Sequence, residues 1–86
     1  MEPLTKKTFK NLTKTEQVVM VLKSGKELLT RQDEKYFVKL FSLTNLLVEI
    51  WYELNQITIL KVSTPSNDKI MQNYNIDKAS IKQLTE

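Results

Sequence analysis

Apolar side chains crowd residues 36–62, YFVKLFSLTNLLVEIWYELNQITILKV, in short runs broken at Thr44-Asn45 and at Leu54-Asn55-Gln56. Runs of this length, rich in β-branched and aromatic residues and separated by polar breaks, predict three adjacent antiparallel strands. KELLTRQ, residues 26–32, predicts one more strand, joined to the next through Asp33-Glu34. Its alternation is ambiguous because either Leu28 or Leu29 can face a core, as is common in charged edge strands.

The turn residues argue for particular registers. A two-residue loop at Thr44-Asn45 would pair Val38 with Trp51 and Lys39 with Ile50. That mixes polar and apolar residues on both faces and forces β-branched Thr44 to positive φ. A loop with an odd number of residues shifts the register by one and sorts the faces. Val38, Leu40, Val48, Ile50 and Tyr52 then share one face. The same reasoning at Leu54-Asn55-Gln56 pairs Val48 with Val62, Ile50 with Leu60, and Glu49 with Lys61.

Flanking segments read as helix. Thr13-Lys14-Thr15-Glu16 fits a capping box, and Val18, Val21 and Leu22 then fall on one helical face, with Val19 and Met20 widening it. Gly25 stands where a left-handed C-terminal residue belongs. Residues 1–12, with Pro3 and no sustained period, read as a flexible basic arm, extended or frayed, with Phe9 and Leu12 as its anchors. Pro65 ends the sheet. Ser66-Asn67-Asp68 starts a short helix carrying Ile70, Met71 and Tyr74. Asp77 caps a last helix, with Ile76 and Ile81 as a hydrophobic staple. The expected fold is a single α+β domain over residues 13–86, ordered α-β-β-β-β-α-α: a four-stranded antiparallel meander with an N-terminal helix and two short C-terminal helices on one face.

On that register the other face carries Phe37, Lys39, Phe41 and Leu47 beside Glu49, Trp51, Ile59 and Lys61. Lys39 lies opposite Trp51 as a cation–π partner. Aromatics ringed by charges of both signs have the composition of a binding surface. These eight residues are therefore the candidate partner-binding site, and the simplest partner is a second copy of the chain on a two-fold axis. The competing expectation is that the termini fold over this face and make it a second core.

Composition narrows the chemistry. At 86 residues the chain makes one small domain, and such a domain buries only about 60–65% of its unfolded surface, so association helps it. It has no cysteine and no histidine, which removes disulfides, thiol nucleophiles and the commonest metal ligand and general base. No apolar run spans a membrane, and no apolar segment follows the first lysines as a secretory signal requires, so a cytoplasmic location is expected. The +3 formal charge comes from Lys6, Lys7, Lys10 and Lys14 against Glu2, while the remaining residues balance. Nucleic acid is the alternative partner, through the aromatic and lysine face or the basic arm. Glu49 and Glu53 on that face and a single arginine argue against it.

Enzyme chemistry finds little footing. Glu49 and Glu53 point to one side, but their Cα atoms lie ~13 Å apart with Trp51 between them. Glycosidase carboxylates stand ~5–9.5 Å apart. One glycine cannot form a phosphate loop, and Asp33, Asp68 and Asp77 lack calcium-loop spacing. No cofactor, metal or catalytic residue is expected, and no motif specifies a family. The chain reads as a non-catalytic protein–protein interaction module; carriage of a small apolar ligand would need a cavity between helix and sheet.

Overall fold

The computed structural model describes residues 4–84 and contains an α+β fold with a four-stranded antiparallel sheet flanked by helices at both ends of the chain. In chain order the elements are α1 (Lys6–Lys10), α2 (Lys14–Ser24), β1 (Lys26–Gln32), β2 (Tyr36–Leu43), β3 (Leu46–Glu53), β4 (Ile59–Ser63), α3 (Asn67–Tyr74) and α4 (Lys78–Leu84). The strands neighbour one another in sequence order, as a meander.

The helix starts follow their side chains. Thr13 Oγ1 accepts from Glu16 N at 3.1 Å and Glu16 Oε1 accepts from Thr13 N at 2.9 Å, which completes the expected capping box. Ser66 Oγ accepts from Lys69 N and Asp77 Oδ1 from Ser80 N, starting α3 and α4. Residues 4–12 depart from the expected arm, which is instead the short helix α1 and its flanks. Thr5 caps α1 and Phe9, only 1% exposed, inserts under the sheet with Leu4 and Leu12 beside it. A five-residue helix makes one anchoring contact, too few to leave a period in the sequence. Met1–Pro3 of the expected arm lie outside the described residues.

Gly25 is also not the left-handed residue expected; its backbone is extended at φ −82° and ψ 157°. A Cβ there would stand 2.5 Å from Val21 O, so close approach to the last turn of α2 is what requires glycine. On α2 itself Val21 enters the core, but Leu22, expected beside it, is exposed.

Both expected registers are corrected. Val38 pairs with Trp51 and Lys39 with Ile50, across a two-residue loop at Thr44-Asn45 in which Thr44 adopts φ 57°. Between β3 and β4, Ile50 pairs with Val62, Trp51 with Lys61 and Glu49 with Ser63. The loop there is longer than three residues; Asn55 Oδ1 accepts from Ile57 N and Thr58 N, and Leu60 forms a bulge. An odd loop suits a sheet with one dry face and one wet one. Helices cover both faces instead, so neither needed to be polar.

On the first face Phe41, Leu43, Leu46, Val48, Ile50 and Tyr52 pack against Phe9 and Val21, with Phe37, Met20, Ile59 and Val62 at the margin. On the second, Leu40 and Leu47 pack against Ile70 of α3 and Ile81 of α4, flanked by Met71, Tyr74, Ile76 and Leu84. The ambiguity between Leu28 and Leu29 resolves as a bulge in β1, with both residues packed against this second core. A sheet buried on both faces reads as nearly continuous apolar runs, as β2 and β3 do.

Candidate recognition groove

The short helices α3 and α4 cover only part of the second face. Beyond them, one row of side chains crosses the sheet from Arg31 on β1 through Val38 and Trp51 to Lys61 on β4. Val38 is fully buried and small. Arg31 reaches over it, and its guanidinium carbon lies 4.9 Å from the Trp51 ring centroid. Lys61 Nζ lies 4.2 Å from the same centroid, so two cations from opposite sides of β3 engage one indole. Tyr36 meets Trp51 edge-on at 5.7 Å between centroids, and the indole Nε1–H donates to Ser63 Oγ at 3.3 Å. Trp51 is half-buried and held on every side.

Glu49, one alternation from Trp51 on β3, is 2% exposed. A buried carboxylate needs partners. Arg31 Nε donates to Glu49 Oε2 at 3.4 Å, and the Tyr74 hydroxyl from α3 donates to the same oxygen at 2.8 Å. Arg31 also lies 5.7 Å over the Tyr74 ring. Burial, then the bond to Glu49, pushes the Tyr74 phenol well above its ordinary range. The cluster pins α3 to the sheet and satisfies Glu49 and Arg31 with each other.

An open groove of about 620 Å³ runs beside this row, with Arg31, Trp51, Lys61 and Ser63 in its floor and Ser66, Lys69, Gln72 and Asn73 of the α3 region as its wall. Asp33 stands at one rim. Thr64 Oγ1, also at the groove, is buried with no hydrogen-bond partner among the described residues. Lys61 and Lys69 have no ion-pair partner among the described residues, whose two ion pairs are Arg31–Glu49 and Lys39–Glu27. On the other side of Trp51, a smaller dent of about 280 Å³ is lined by Tyr36, Trp51, Leu60 and Lys61.

The eight expected site residues do not share a face. Leu47, Glu49, Trp51 and Lys61 lie on the groove side, with Leu47 buried under α3 and α4. Phe37, Lys39, Phe41 and Ile59 belong to the opposite face, where Phe41 is buried with Phe9 and Val21. Lys39 is therefore not the cation beside Trp51; it pairs with Glu27 and sits 5.6 Å over Tyr52. Arg31, Tyr36, Ser63, Lys69 and Tyr74 entered no expectation of the site. The one available signal was Glu49 itself, an acid in an otherwise apolar strand, which implied a cation and a donor nearby.

Glu49 is committed to Arg31 and Tyr74 while Glu53 is exposed at the end of β3, so the two carboxylates do not face each other as an acid–base pair. Among the described residues no three Asp or Glu side chains group closely enough to hold a metal ion, and no helix is long and apolar enough to cross a membrane. Comparison of the chain with models of known protein families, with characterised proteins and with solved structures finds no match.

Proposed function

We propose that the chain is a non-catalytic recognition domain that holds an acidic segment of a partner protein in the Trp51 groove. The observation that carries this reading is the half-buried Trp51 between Lys61 and Arg31 in the floor of a groove whose other lysine, Lys69, has no ion-pair partner among the described residues. Tryptophan and cations in a concave, partly dry surface are the usual makings of a binding hot spot. Because Ser63, Tyr36 and Arg31 already hold the indole, little side-chain entropy is lost on contact. Arg31 is neutralised by Glu49, which leaves Lys61 and Lys69 against the lone Asp33 at the rim, an excess of positive charge that selects an acidic segment. The dent between Tyr36 and Leu60 takes an apolar side chain next to the acidic ones.

Two observations favour protein over nucleic acid. The Trp51 ring is engaged by two cations rather than open for a base to stack on it. Of the N-terminal lysines, Lys6 and Lys14 donate to the Pro65 and Ile59 carbonyls, so part of the basic segment fastens α1 to the segment after β4 and α2 to β4 itself. The expected two-fold contact through Phe41 and Trp51 finds no common face, since the two lie on opposite sides of the sheet.

Trp51 is the only tryptophan, so its emission reports on the groove directly. Titration with a Glu-rich peptide carrying one Leu or Phe is expected to shift and quench that emission saturably. The effect weakens with salt and is lost in Lys61→Glu and Lys69→Glu. An unchanged emission at millimolar peptide overturns the reading, and tighter binding of a single-stranded oligonucleotide in the same titration transfers it to nucleic acid.

A further inference from the structure

We propose that two copies of the chain associate through α2, packed antiparallel about a two-fold axis that passes between Val19 and Met20. This surface lies on the opposite side of the sheet from the groove and stands independently of it.

Val21 points α2 into the first core, and the outward face then carries Val19 and Leu22, which are 55% and 57% exposed. A shallow depression of about 410 Å³ lies along this helix, lined by Thr15, Glu16, Val19, Met20, Lys23 and Ser24. These six positions are symmetric about the Val19–Met20 bond. Thr15 matches Ser24, Glu16 matches Lys23, and Val19 matches Met20. An antiparallel pair with the axis at that bond sets each Glu16 against Lys23 of the partner subunit, twice, with exposed Val19 and the half-buried edge of Met20 between them. A parallel pair sets like charges together instead.

Both groups are available for this. Glu16 is exposed, and its bonds to Thr13 hold its carboxyl below the usual range, so it is charged at neutral pH. Its Oε1 serves the capping box, and Oε2 takes no hydrogen bond or ion pair among the described residues. Lys23 is exposed and has no ion-pair partner among the described residues. An acidic partner or a basic one would match one end of this stripe and repel the other. A second copy matches both ends.

Eleven residues of helix span only ~16 Å, which buries less than the ~1,200 Å² of lasting interfaces. The association is accordingly weak and needs a concentrated sample to show.

The test is sedimentation velocity on the full chain, over a concentration series reaching ~2 mM, at low salt. Wild type is expected to move from monomer to dimer. Lys23→Glu and Glu16→Lys are each expected to weaken association at least tenfold, and an equimolar mixture of the two is expected to restore it, because only the mixed pair matches both charges. Glu16→Lys also breaks the capping box, so its fold is checked by circular dichroism. Val19→Asp, at an exposed position, is an independent variant and is expected to be monomeric throughout. A wild type that stays monomeric to ~2 mM, a dimer that Lys23→Glu and Val19→Asp leave intact, or a mixture that fails to associate overturns the proposal.

Discussion

Tyr74 of α3 donates its hydroxyl hydrogen to Glu49 Oε2 across 2.8 Å, a polar tie between the wall of the groove and its floor beside the packing of Ile70 on Leu40 and Leu47. The same oxygen takes Arg31 Nε at 3.4 Å, so the buried acid has one ionic partner and one neutral donor. The two partners are not equivalent. Tyr74→Phe removes a hydrogen bond to a buried charge and is expected to lower stability by about 1.5–3 kcal/mol. Arg31→Ala leaves the carboxylate without a counter-charge and is expected to cost about 3–5 kcal/mol. Urea denaturation of the two variants checks the order. Glu49→Gln in the Arg31→Ala background is expected to recover part of the loss, since it removes the orphaned charge.

The raised Tyr74 phenol has a consequence at high pH. Its folded pKa stands above the ordinary value of 10.0, with burial as the larger cause and Glu49 the smaller. Above pH 10 the unfolded chain therefore releases a proton that the folded chain keeps, and folding stability falls as pH rises. Below pH 10 the contribution is fully present. The decline is at most ~1.4 kcal/mol per pH unit for one such group. Stability measured from pH 9 to 11 is expected to drop less steeply in Tyr74→Phe than in wild type. A shallower residual slope stays in the variant, because burial also raises the phenol of Tyr52.

Gly25 lies between α2 and β1, and any side chain there meets the Val21 carbonyl oxygen. The Gly25 N–H bonds that same oxygen at 2.7 Å, so the contact cannot open without loss of the helix's final bond. Gly25→Ala is expected to destabilise by about 1–3 kcal/mol, as overpacking does. For a domain of this size that lowers the melting temperature by roughly 4–8 °C per kcal/mol. An unchanged melting temperature would show that α2 ends differently from the arrangement described.

The legible part of the fold was the part that local chemistry decides. Thr13, Ser66 and Asp77 start helices because their side-chain oxygens accept from backbone N–H groups three residues on, and those residues are adjacent in sequence. The strands were legible from their apolar runs and breaks. Register was not, because it depended on whether α3 and α4 cross to the face opposite α1 and α2, a tertiary fact with no local mark. That error moved Lys39, Phe37 and Phe41 onto Trp51's face and took Arg31 out of consideration. The groove escaped notice for the same reason. Arg31, Trp51 and Lys61 are aligned only by ladders spanning four strands. Phe9 shows the other limit, since one buried ring in a short helix makes no pattern.

Thr44 joins β2 to β3 with φ 57°, a left-handed conformation that a β-branched residue adopts at a penalty. The penalty for an L-residue there is about 1–2 kcal/mol. The register of the hairpin outweighs it, because Leu43 opposite Leu46 and Phe41 opposite Val48 bury four apolar side chains on one face, and an odd loop would turn Leu46 and Val48 of β3 to the other. Thr44→Gly relieves the strain and adds some backbone entropy to the unfolded chain, for a net gain of about 0.5–1 kcal/mol. Equilibrium denaturation is expected to show a higher midpoint with an unchanged slope. Backbone amide contacts in the variant, read by nuclear Overhauser effects between Leu43 and Leu46, are expected to match the wild type. If Thr44→Gly instead destabilises the chain while the slope holds, the loop is not the two-residue turn described, and the pairing that aligns Arg31 with Trp51 fails with it.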